Sequence, residues 1–413
     1  MNYPITRASI NLTRSCNLAC DYCFAHKPSC HRSMTFDVAQ RAVDWLIGNA
    51  KSLQGREREI EIAFWGGEPL LEWSLLQKIV CYAEEKGAQH AVGVRFSGTT
   101  NGTLLTPEKF DFLDTHKIFF LISWDGTPET HNKYRHFRGG RGSAEIIEIN
   151  LKEVLKKWPF YQVRMSPYAS AIGNFFNDVK YIFDFGINKM MFSPVYESNF
   201  TDEDWRTWEE QCYKVVDYIA SLRAQGRQID ITHFSGYMSG DASCWPCGAG
   251  RFYVGIDVDG AIYPCHRFNK FDDMRPWEEK EVCIGHIDRG ITRPEFRQSF
   301  IDFHPQCGKC PHIEDTPCHG GCYAINFDFT GHIDTHHIGI CKYVDMQKRV
   351  SKYYKEKVMN EEKVSCMPYL GKDMSCGCYN SYYTGTVKPQ ASMEDLITLI
   401  KDLHLRVSKL ESK

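Results

Sequence analysis

Three cysteines carry the chemistry that can be read first: Cys16, Cys20 and Cys23, in the run Cys16-Asn-Leu-Ala-Cys20-Asp-Tyr-Cys23. They follow a strand-like stretch from Ala8 to Leu12, so a single loop presents all three thiols. A 4Fe–4S cubane takes four ligands, normally thiolates. A loop that offers three leaves one iron open, and an open position is what separates a catalytic metal site from a structural one. Tyr22 and the short spacing let this loop wrap one cluster. A zinc knuckle and a set of unrelated thiols are the competing readings.

Such a loop needs elements that hold it. Ile60 to Phe64 alternates apolar and polar residues, then stops at Gly66-Gly67-Glu68-Pro69. Val92 to Phe96 alternates again, and Ile118 to Ile122 is a continuous apolar run, as expected of a buried parallel strand. Val163–Met165 and Met190–Phe192 follow. Between them, Val38, Ala42, Trp45 and Leu46 share a helical face after Thr35, and Leu75, Ile79 and Val80 share another. Strands alternating with helices predict an α/β unit with a parallel sheet. Six units are too few for a closed eight-fold barrel, so the spacing predicts a partial (β/α)6 TIM-like barrel over residues 1–235, with functional groups at the C-terminal ends of its strands. Those ends hold Gly66-Gly67-Glu68-Pro69, Thr99-Thr100-Asn101-Gly102-Thr103, Ser123-Trp124-Asp125-Gly126 and Ser193-Pro194, with His131-Asn-Lys-Tyr-Arg135 after the fourth strand. Glycines there let backbone approach a ligand closely.

The cysteine loop and these turns together resemble the radical S-adenosylmethionine (SAM) enzymes. In that family the open iron binds the amino and carboxylate groups of SAM, and one electron splits SAM into methionine and a hydrogen-abstracting 5′-deoxyadenosyl radical. The resemblance implies that Gly66, Gly67 and Glu68 hold the SAM ammonium, that Ser123 meets its ribose, and that Asn101 sits in a matching turn. It places Ser193 in the segment against adenine. Arg135 would pair with the SAM carboxylate, a bidentate geometry that suits arginine, with Arg138 and Arg141 as competitors in a Gly-rich loop. Asp125 either contacts the ligand or stabilises its turn.

From about residue 240 the pattern changes to Cys244-Trp-Pro-Cys247, Gly260-Ala-Ile-Tyr-Pro-Cys265, Cys307-Gly-Lys-Cys310, Cys318, Cys322 and Cys341. This resembles the SPASM domain, which carries two auxiliary 4Fe–4S clusters. Seven residues separate Cys310 from Cys318, two more than in the family pattern. The resemblance assigns Cys244, Cys247, Cys265 and Cys322 to one cluster, and Cys307, Cys310, Cys318 and Cys341 to the other. Two zinc ribbons are the rival, since CxxC is also zinc spacing. The implied inventory is three 4Fe–4S clusters and SAM. Residues 236–346 form this second domain. Residues 347–413 form a tail in which Val350, Tyr353, Tyr354 and Val358 suggest a helix closing it, followed by a Cys- and Tyr-rich stretch and an apolar heptad from 393 to 410. Of the remaining cysteines, Cys81 and Cys212 read as buried thiols, Cys283 precedes a core strand expected at Ile284-Gly285-His286-Ile287, and Cys30 reads as a free thiol.

Composition narrows the function classes. The chain has 413 residues, 49 Lys plus Arg against 52 Asp plus Glu, and a net charge of −3. That balance speaks against a nucleic-acid or anionic-membrane partner held by bulk charge. No signal peptide or long apolar span is present, so 18 cysteines point to metal sites in a reducing cytoplasm, in an anaerobic or microaerobic host.

The resemblance is to maturases: a radical SAM oxidoreductase that modifies a ribosomal peptide or protein by hydrogen abstraction and net two-electron oxidation, forming a thioether or carbon–carbon cross-link. Its partners would be that substrate and a flavodoxin- or ferredoxin-type electron donor. Sulfatase-maturing enzymes share the pattern but carry an aspartate, proposed as the base, directly after the cysteine of their YPC motif. Here that position is His266, either a base or a group hydrogen-bonding a cluster sulfur or a carbonyl. The alternatives are sulfatase-type formylglycine formation, oxidation of a small molecule, and a non-enzymatic electron carrier. Because the cysteines come at residue 16, no fused leader-binding element is expected ahead of them; a separate leader-binding protein, the tail or a leader-free substrate would each answer that.

Overall fold

The structure is a computed structural model that describes residues 4–25, 32–55, 58–236, 248–270, 275–294, 318 and 320–359. Thr35 accepts a hydrogen bond from the Val38 amide and so starts helix α1 (Phe36–Ala50) where the sequence places it. Thr106, Thr127 and Thr201 do the same for α3 (Pro107–Thr115), α4 (Pro128–Tyr134) and α7 (Asp202–Ala224). Helices α2 (Trp73–His90), α5 (Ala144–Lys157) and α6 (Phe175–Asp184) complete the layer. In α1 the fully buried stripe is Ala39, Ala42, Val43, Leu46 and Ile47, with Val38 and Trp45 at its margins; in α2 it is Leu76 rather than Leu75 that is buried with Ile79 and Val80.

Strands β1 (Arg7–Asn11), β2 (Glu59–Trp65), β3 (Gly93–Thr100), β4 (Phe119–Ser123), β5 (Gln162–Met165), β6 (Lys189–Phe192) and β7 (Asp230–Ile231) lie side by side in chain order, all parallel. This is the parallel α/β sheet expected of the partial barrel. β3 runs four residues further than its apolar alternation suggests. Gly98 makes room there: a Cβ on it would lie 2.5 Å from the Phe120 ring of the next strand.

Register gives the sheet two unlike faces. Ala8 and Ile10 of β1, Ile60, Ile62 and Phe64 of β2, and Phe120 and Ile122 of β4 pack in the main core. The other face carries Arg7, Ser9 and Asn11 beside Glu61, Ala63 and Trp65, then Arg95, Ser97 and Thr99. A sheet covered by helices on one side and polar on the other encloses a polar interior, and the chemistry belongs there.

The sheet does not end at β1. β8 (Tyr253–Ile256) pairs with it in parallel, and β9 (Ala261–Tyr263), β10 (Gly285–His286) and β11 (Gly290–Ile291) continue antiparallel. The expected core strand around Ile284 to Ile287 is thus reduced to the two residues of β10. The 235/236 boundary therefore crosses a continuous sheet. α8 (Thr232–Gly236), α9 (Tyr323–Thr330) and α10 (Ile338–Tyr354) follow. The helix expected to close the second domain is α10. It runs across residue 346 and clamps α7 of the first unit: Arg349 bridges both oxygens of Glu209 at 2.7 Å, and Tyr353 donates to Asp217 at 2.8 Å. Among the described residues no helix is long and apolar enough to cross a membrane. The tail beyond residue 359 lies outside the described residues.

Candidate active site

The loop bearing Cys16, Cys20 and Cys23 leaves β1 and is clasped from two sides. On one side the Gly66-Gly67-Glu68-Pro69 turn runs over its base. The Gly67 amide donates to the Thr13 carbonyl at 2.8 Å and the Glu68 amide to the Ser15 carbonyl at 2.9 Å. A Cβ on Gly66, which has φ +150°, would sit 2.4 Å from the Thr13 carbonyl oxygen, and one on Gly67 would sit 2.1 Å from that of Ser15. The two glycines are there because backbone meets backbone. Glu68 is buried and both of its carboxylate oxygens are engaged. It accepts from the Leu70 amide at 3.0 Å, the Thr100 hydroxyl at 2.8 Å and the Asn101 amide at 2.8 Å. Burial pushes its carboxyl up to about 7 in spite of those donors.

Asn101 extends this clasp to the sulfur. Its Nδ2 lies 3.7 Å from Cys16 Sγ and 2.9 Å from Asn17 Oδ1, while its Oδ1 accepts from the Thr103 amide and hydroxyl. Asn17 returns a bond to the Thr103 hydroxyl at 2.8 Å.

On the other side stand Asp125 and Arg135. Asp125 accepts from Arg135 Nε at 2.7 Å, from the Ser166 amide at 2.8 Å, and from the hydroxyl of Tyr22, the residue inside the cysteine loop. Burial works against its charge, but the guanidinium beside it holds the carboxyl below the usual range. Arg135 also donates to the Ser166 hydroxyl at 3.1 Å and covers the Tyr22 ring at 5.1 Å. His131 fixes the turn from behind: Nδ1 accepts from the Asp125 amide and Nε2 meets Ser143 Oγ at 2.9 Å. Arg138 is exposed and reaches the Cys16 carbonyl, whereas Arg141 is exposed over Phe137. Ser123 is buried at the end of β4, in register with Arg164. Ser193 follows β6 and donates its amide to Met165.

A third contact comes from the β8–β9 hairpin. Asp257, fully buried, pairs with Arg14 and accepts from Asn11 Nδ2 at 2.7 Å. His266 directly follows Cys265 and meets the Tyr253 hydroxyl at 2.5 Å through Nδ1; that hydroxyl is 2.6 Å from Ser9 Oγ. The His266 ring packs on Trp65 and Phe24, and burial with the nearby Arg164 and Arg267 pushes its pKa down to about 3. Gly255 lets the chain pass behind it: a Cβ would lie 2.8 Å from the Cys265 carbonyl carbon. Cys318, Cys322 and Cys341 are half-buried; Cys244, Cys247, Cys307 and Cys310 lie outside the described residues, as does Cys30. Cys212 is buried as expected and Cys283 is buried too, but Cys81 is exposed on α2.

Tyr22 as a partner of Asp125, Ser166, and the Arg14–Asp257 pair carry no signal in the sequence. The last joins residues 243 positions apart.

The loop suits a multinuclear cluster. Burial, with Glu68 nearby, raises Cys16 to about 12, and burial raises Cys20 to about 11, so neither is a thiolate unless a metal displaces its proton. The Leu18 amide at 3.4 Å and Asn101 Nδ2 supply Cys16 with donors that favour a thiolate sulfur. Among the described residues no three His, Cys, Asp or Glu side chains converge as ligands of one ion do. A cubane asks for wider spacing, because each thiolate binds its own iron.

Residues 10–163 match the model of the radical SAM superfamily. The chain is 24% identical over 334 residues to a cysteine-type anaerobic sulfatase-maturating enzyme of Clostridium perfringens, an alignment spanning 74% of this chain and 85% of that one. Its fold matches the structure of anSMEcpe with bound AdoMet and the Cp18Cys peptide, with a TM-score of 0.68 at 19% identity, over 87% of this chain and 99% of that one. It also matches Streptococcus suis SuiB bound to precursor peptide SuiA, with a TM-score of 0.55 at 16% identity, over 82% and 76%. The cysteine loop and its clasping turns thus lie within the stretch that matches the radical SAM superfamily, and the chain is similar along 74% of its length to an anaerobic sulfatase-maturating enzyme.

Proposed function

We propose that this protein is a SAM-dependent maturase that oxidises a peptide or protein substrate by two electrons and closes a thioether or carbon–carbon cross-link in it. Cys16, Cys20 and Cys23 would hold the SAM-binding cluster. When bound, the cluster and SAM supply a hydrogen-abstracting radical. Glu68 is spent on three donors of its own chain, so the SAM ammonium falls to the Gly66 and Gly67 backbone. Asp125 aims Arg135 at the SAM carboxylate by holding its Nε, and Tyr22 ties that pair to the cysteine loop. Ser123 and Ser193 line the nucleoside side, and Asn101 supports Cys16. Cys265 and Cys322, with Cys244 and Cys247, would hold one auxiliary cluster; Cys318 and Cys341, with Cys307 and Cys310, the other.

The observation that carries the cross-linking reading is the position after Cys265. It holds a neutral imidazole bonded to Tyr253 and packed against Phe24 and Trp65, where the sulfatase-maturing pattern has an aspartate. Among the described residues the interior acids are engaged elsewhere: Glu59 and Glu61 with Arg95 and Arg7, Asp125 with Arg135, Asp257 with Arg14, and Glu68 with three donors of its own chain. A group with so low a pKa is a weak base near neutral pH. His266 serves instead as a wall beside the cysteine, with the Tyr253 hydroxyl as its Nδ1 partner rather than a cluster sulfur or a carbonyl. Solved relatives of this fold carry peptides, Cp18Cys in one and SuiA in another, which supports a peptide substrate. A second reading, formylglycine formation, is favoured by the similarity to sulfatase-maturating enzymes.

One anaerobic turnover assay separates the two. Reconstituted enzyme is given SAM, dithionite and Cys-containing peptides encoded beside its gene, and 5′-deoxyadenosine and peptide mass are followed. The expected product lacks two hydrogens and yields no aldehyde to a hydrazide probe. An aldehyde at the cysteine would establish the sulfatase-type reaction in its place.

A further inference from the structure

The Arg14–Asp257 pair is the most enclosed charge pair among the described residues, with side-chain exposures of 1% and 0%. Its carboxylate is a node. Oδ2 takes Arg14 Nη2; Oδ1 takes Asn11 Nδ2 at 2.7 Å and the Val258 amide at 2.8 Å. Asn269, buried at the end of the turn that begins at His266, donates to it as well. Arg14 precedes Cys16 by two residues, and Asn269 follows Cys265 by four. One buried carboxylate therefore ties the loop presenting Cys16 to both ends of the segment presenting Cys265. The β1–β8 ladder holds the strands on which these segments stand, with Ile10 opposite Ile256.

We propose that Arg14 and Asp257 are positioning residues that set the spacing between the SAM-binding cluster at Cys16, Cys20 and Cys23 and the auxiliary cluster that includes Cys265. The proposal rests on the reading of Cys265 as a cluster ligand. Charge suits this task. A salt bridge with four donors has one geometry, whereas an apolar contact of equal area slides. Stability alone does not call for it, since buried ion pairs are often replaced by apolar side chains without loss.

That last point makes the test. In reconstituted, dithionite-reduced protein, the magnetic interaction between neighbouring reduced clusters broadens their electron paramagnetic resonance signals and reads their separation. The variants are Arg14→Met with Asp257→Leu, which removes both charges, and Asp257→Glu, which keeps the pair and lengthens one arm by a methylene. The double variant is expected to melt where the parent does and to bind the same iron, yet to show altered broadening. Asp257→Glu is expected to alter it less. If the double variant does not fold, Asp257→Glu decides alone: changed broadening at parental iron content supports the positioning role. Parental broadening at about twelve irons per chain would overturn it and leave the pair a mere stabiliser. An iron content of about four in the parent would overturn the auxiliary-cluster reading and the proposal with it.

Discussion

Two arginine–aspartate pairs flank the same cysteine loop, and they are built differently. Arg14–Asp257 is sealed, and its remaining partners Asn11, Val258 and Asn269 are neutral donors from the molecule's own frame. Arg135–Asp125 lies at the strand ends, with side-chain exposures of 9% and 3%, beside the phenol of Tyr22 and the hydroxyl of Ser166. In the first pair the Asp257 carboxylate is consumed by the fold, and neither charge reaches solvent. In the second, Asp125 holds Arg135 through Nε and Ser166 takes Nη2; among the described residues Nη1 has no hydrogen-bond partner. The lesson is that a buried ion pair has to be judged by its unused edge. A pair sealed from solvent on every edge is a joint, and a pair with one open edge at the C-terminal end of a strand is a binding group held in aim.

The largest effect that tests this contrast comes from removing the acid of the open pair. Asp125→Ala leaves Arg135 buried without its counter-charge, a change that costs about 3–5 kcal/mol and also frees Tyr22. Thermal unfolding of the apoprotein should show it. Arg135→Lys refines the point, since it keeps the charge but loses the fork. It is expected to unfold like the parent and to bind SAM at least about tenfold more weakly, the order of 1.4 kcal/mol, by equilibrium dialysis of the reconstituted protein. Arg14→Lys is expected to do the reverse, with SAM affinity kept and stability reduced. Equal losses of SAM affinity in both lysine variants would erase the distinction.

A smaller effect probes the clasp common to both. Gly67→Ala places a methyl 2.1 Å from the Ser15 carbonyl oxygen, against backbone that cannot step aside. The expected cost is about 1–3 kcal/mol, with iron incorporation reduced because the cysteine loop shifts. Gly139→Ala, with nothing within 4 Å of its Cβ, is the control and is expected to leave both unchanged. Iron content in Gly67→Ala equal to that of the control would show that the loop is positioned by other contacts.

Most of this clasp was legible in sequence, for a physical reason. Cys16 to Cys23, the Gly66-Gly67 turn, Asn101 and Asp125 are local runs whose type and spacing carry meaning. Six of the seven parallel strands of the first unit, β1 to β6, were legible because each is an apolar or alternating run bounded by turn residues, whereas the two residues of β7 are too short to show a pattern. What failed to show was whatever depends on distant partners. β8 is interrupted by Gly255, and nothing in its four residues says that it pairs with β1. α10 has an apolar stripe, but only Glu209 and Asp217 reveal that α7 receives it. Glu68 illustrates the same limit inside a recognised motif: spacing marks the residue, while its three donors show that its side chain serves the fold.

The smallest effect separates the two pairs by pH. His131 backs the open pair, and burial, aided by Arg135 against the pull of Asp125, pushes its pKa down to about 4 from 6.5. Its Nδ1 must stay unprotonated to accept from the Asp125 amide. The unfolded chain takes up this proton first, so the contribution is intact above pH 6.5 and is lost as pH falls from 6.5 toward 4. The slope is at most about 1.4 kcal/mol per pH unit. His233, pushed down to about 4 chiefly by burial, and His266, pushed down to about 3, add shares of the same sign, while Glu68, raised to about 7 by burial, offsets one of them. Urea unfolding of the apoprotein across this window should therefore lose stability on acidification, and His131→Gln should flatten the curve by the share of one histidine. Around Arg14–Asp257 the hydrogen-bonding partners do not titrate in this range, so Arg14→Met should lower the curve without changing its slope. A slope that His131→Gln leaves untouched would assign the acid sensitivity elsewhere and take from the open pair the one feature by which pH tells it from the sealed one.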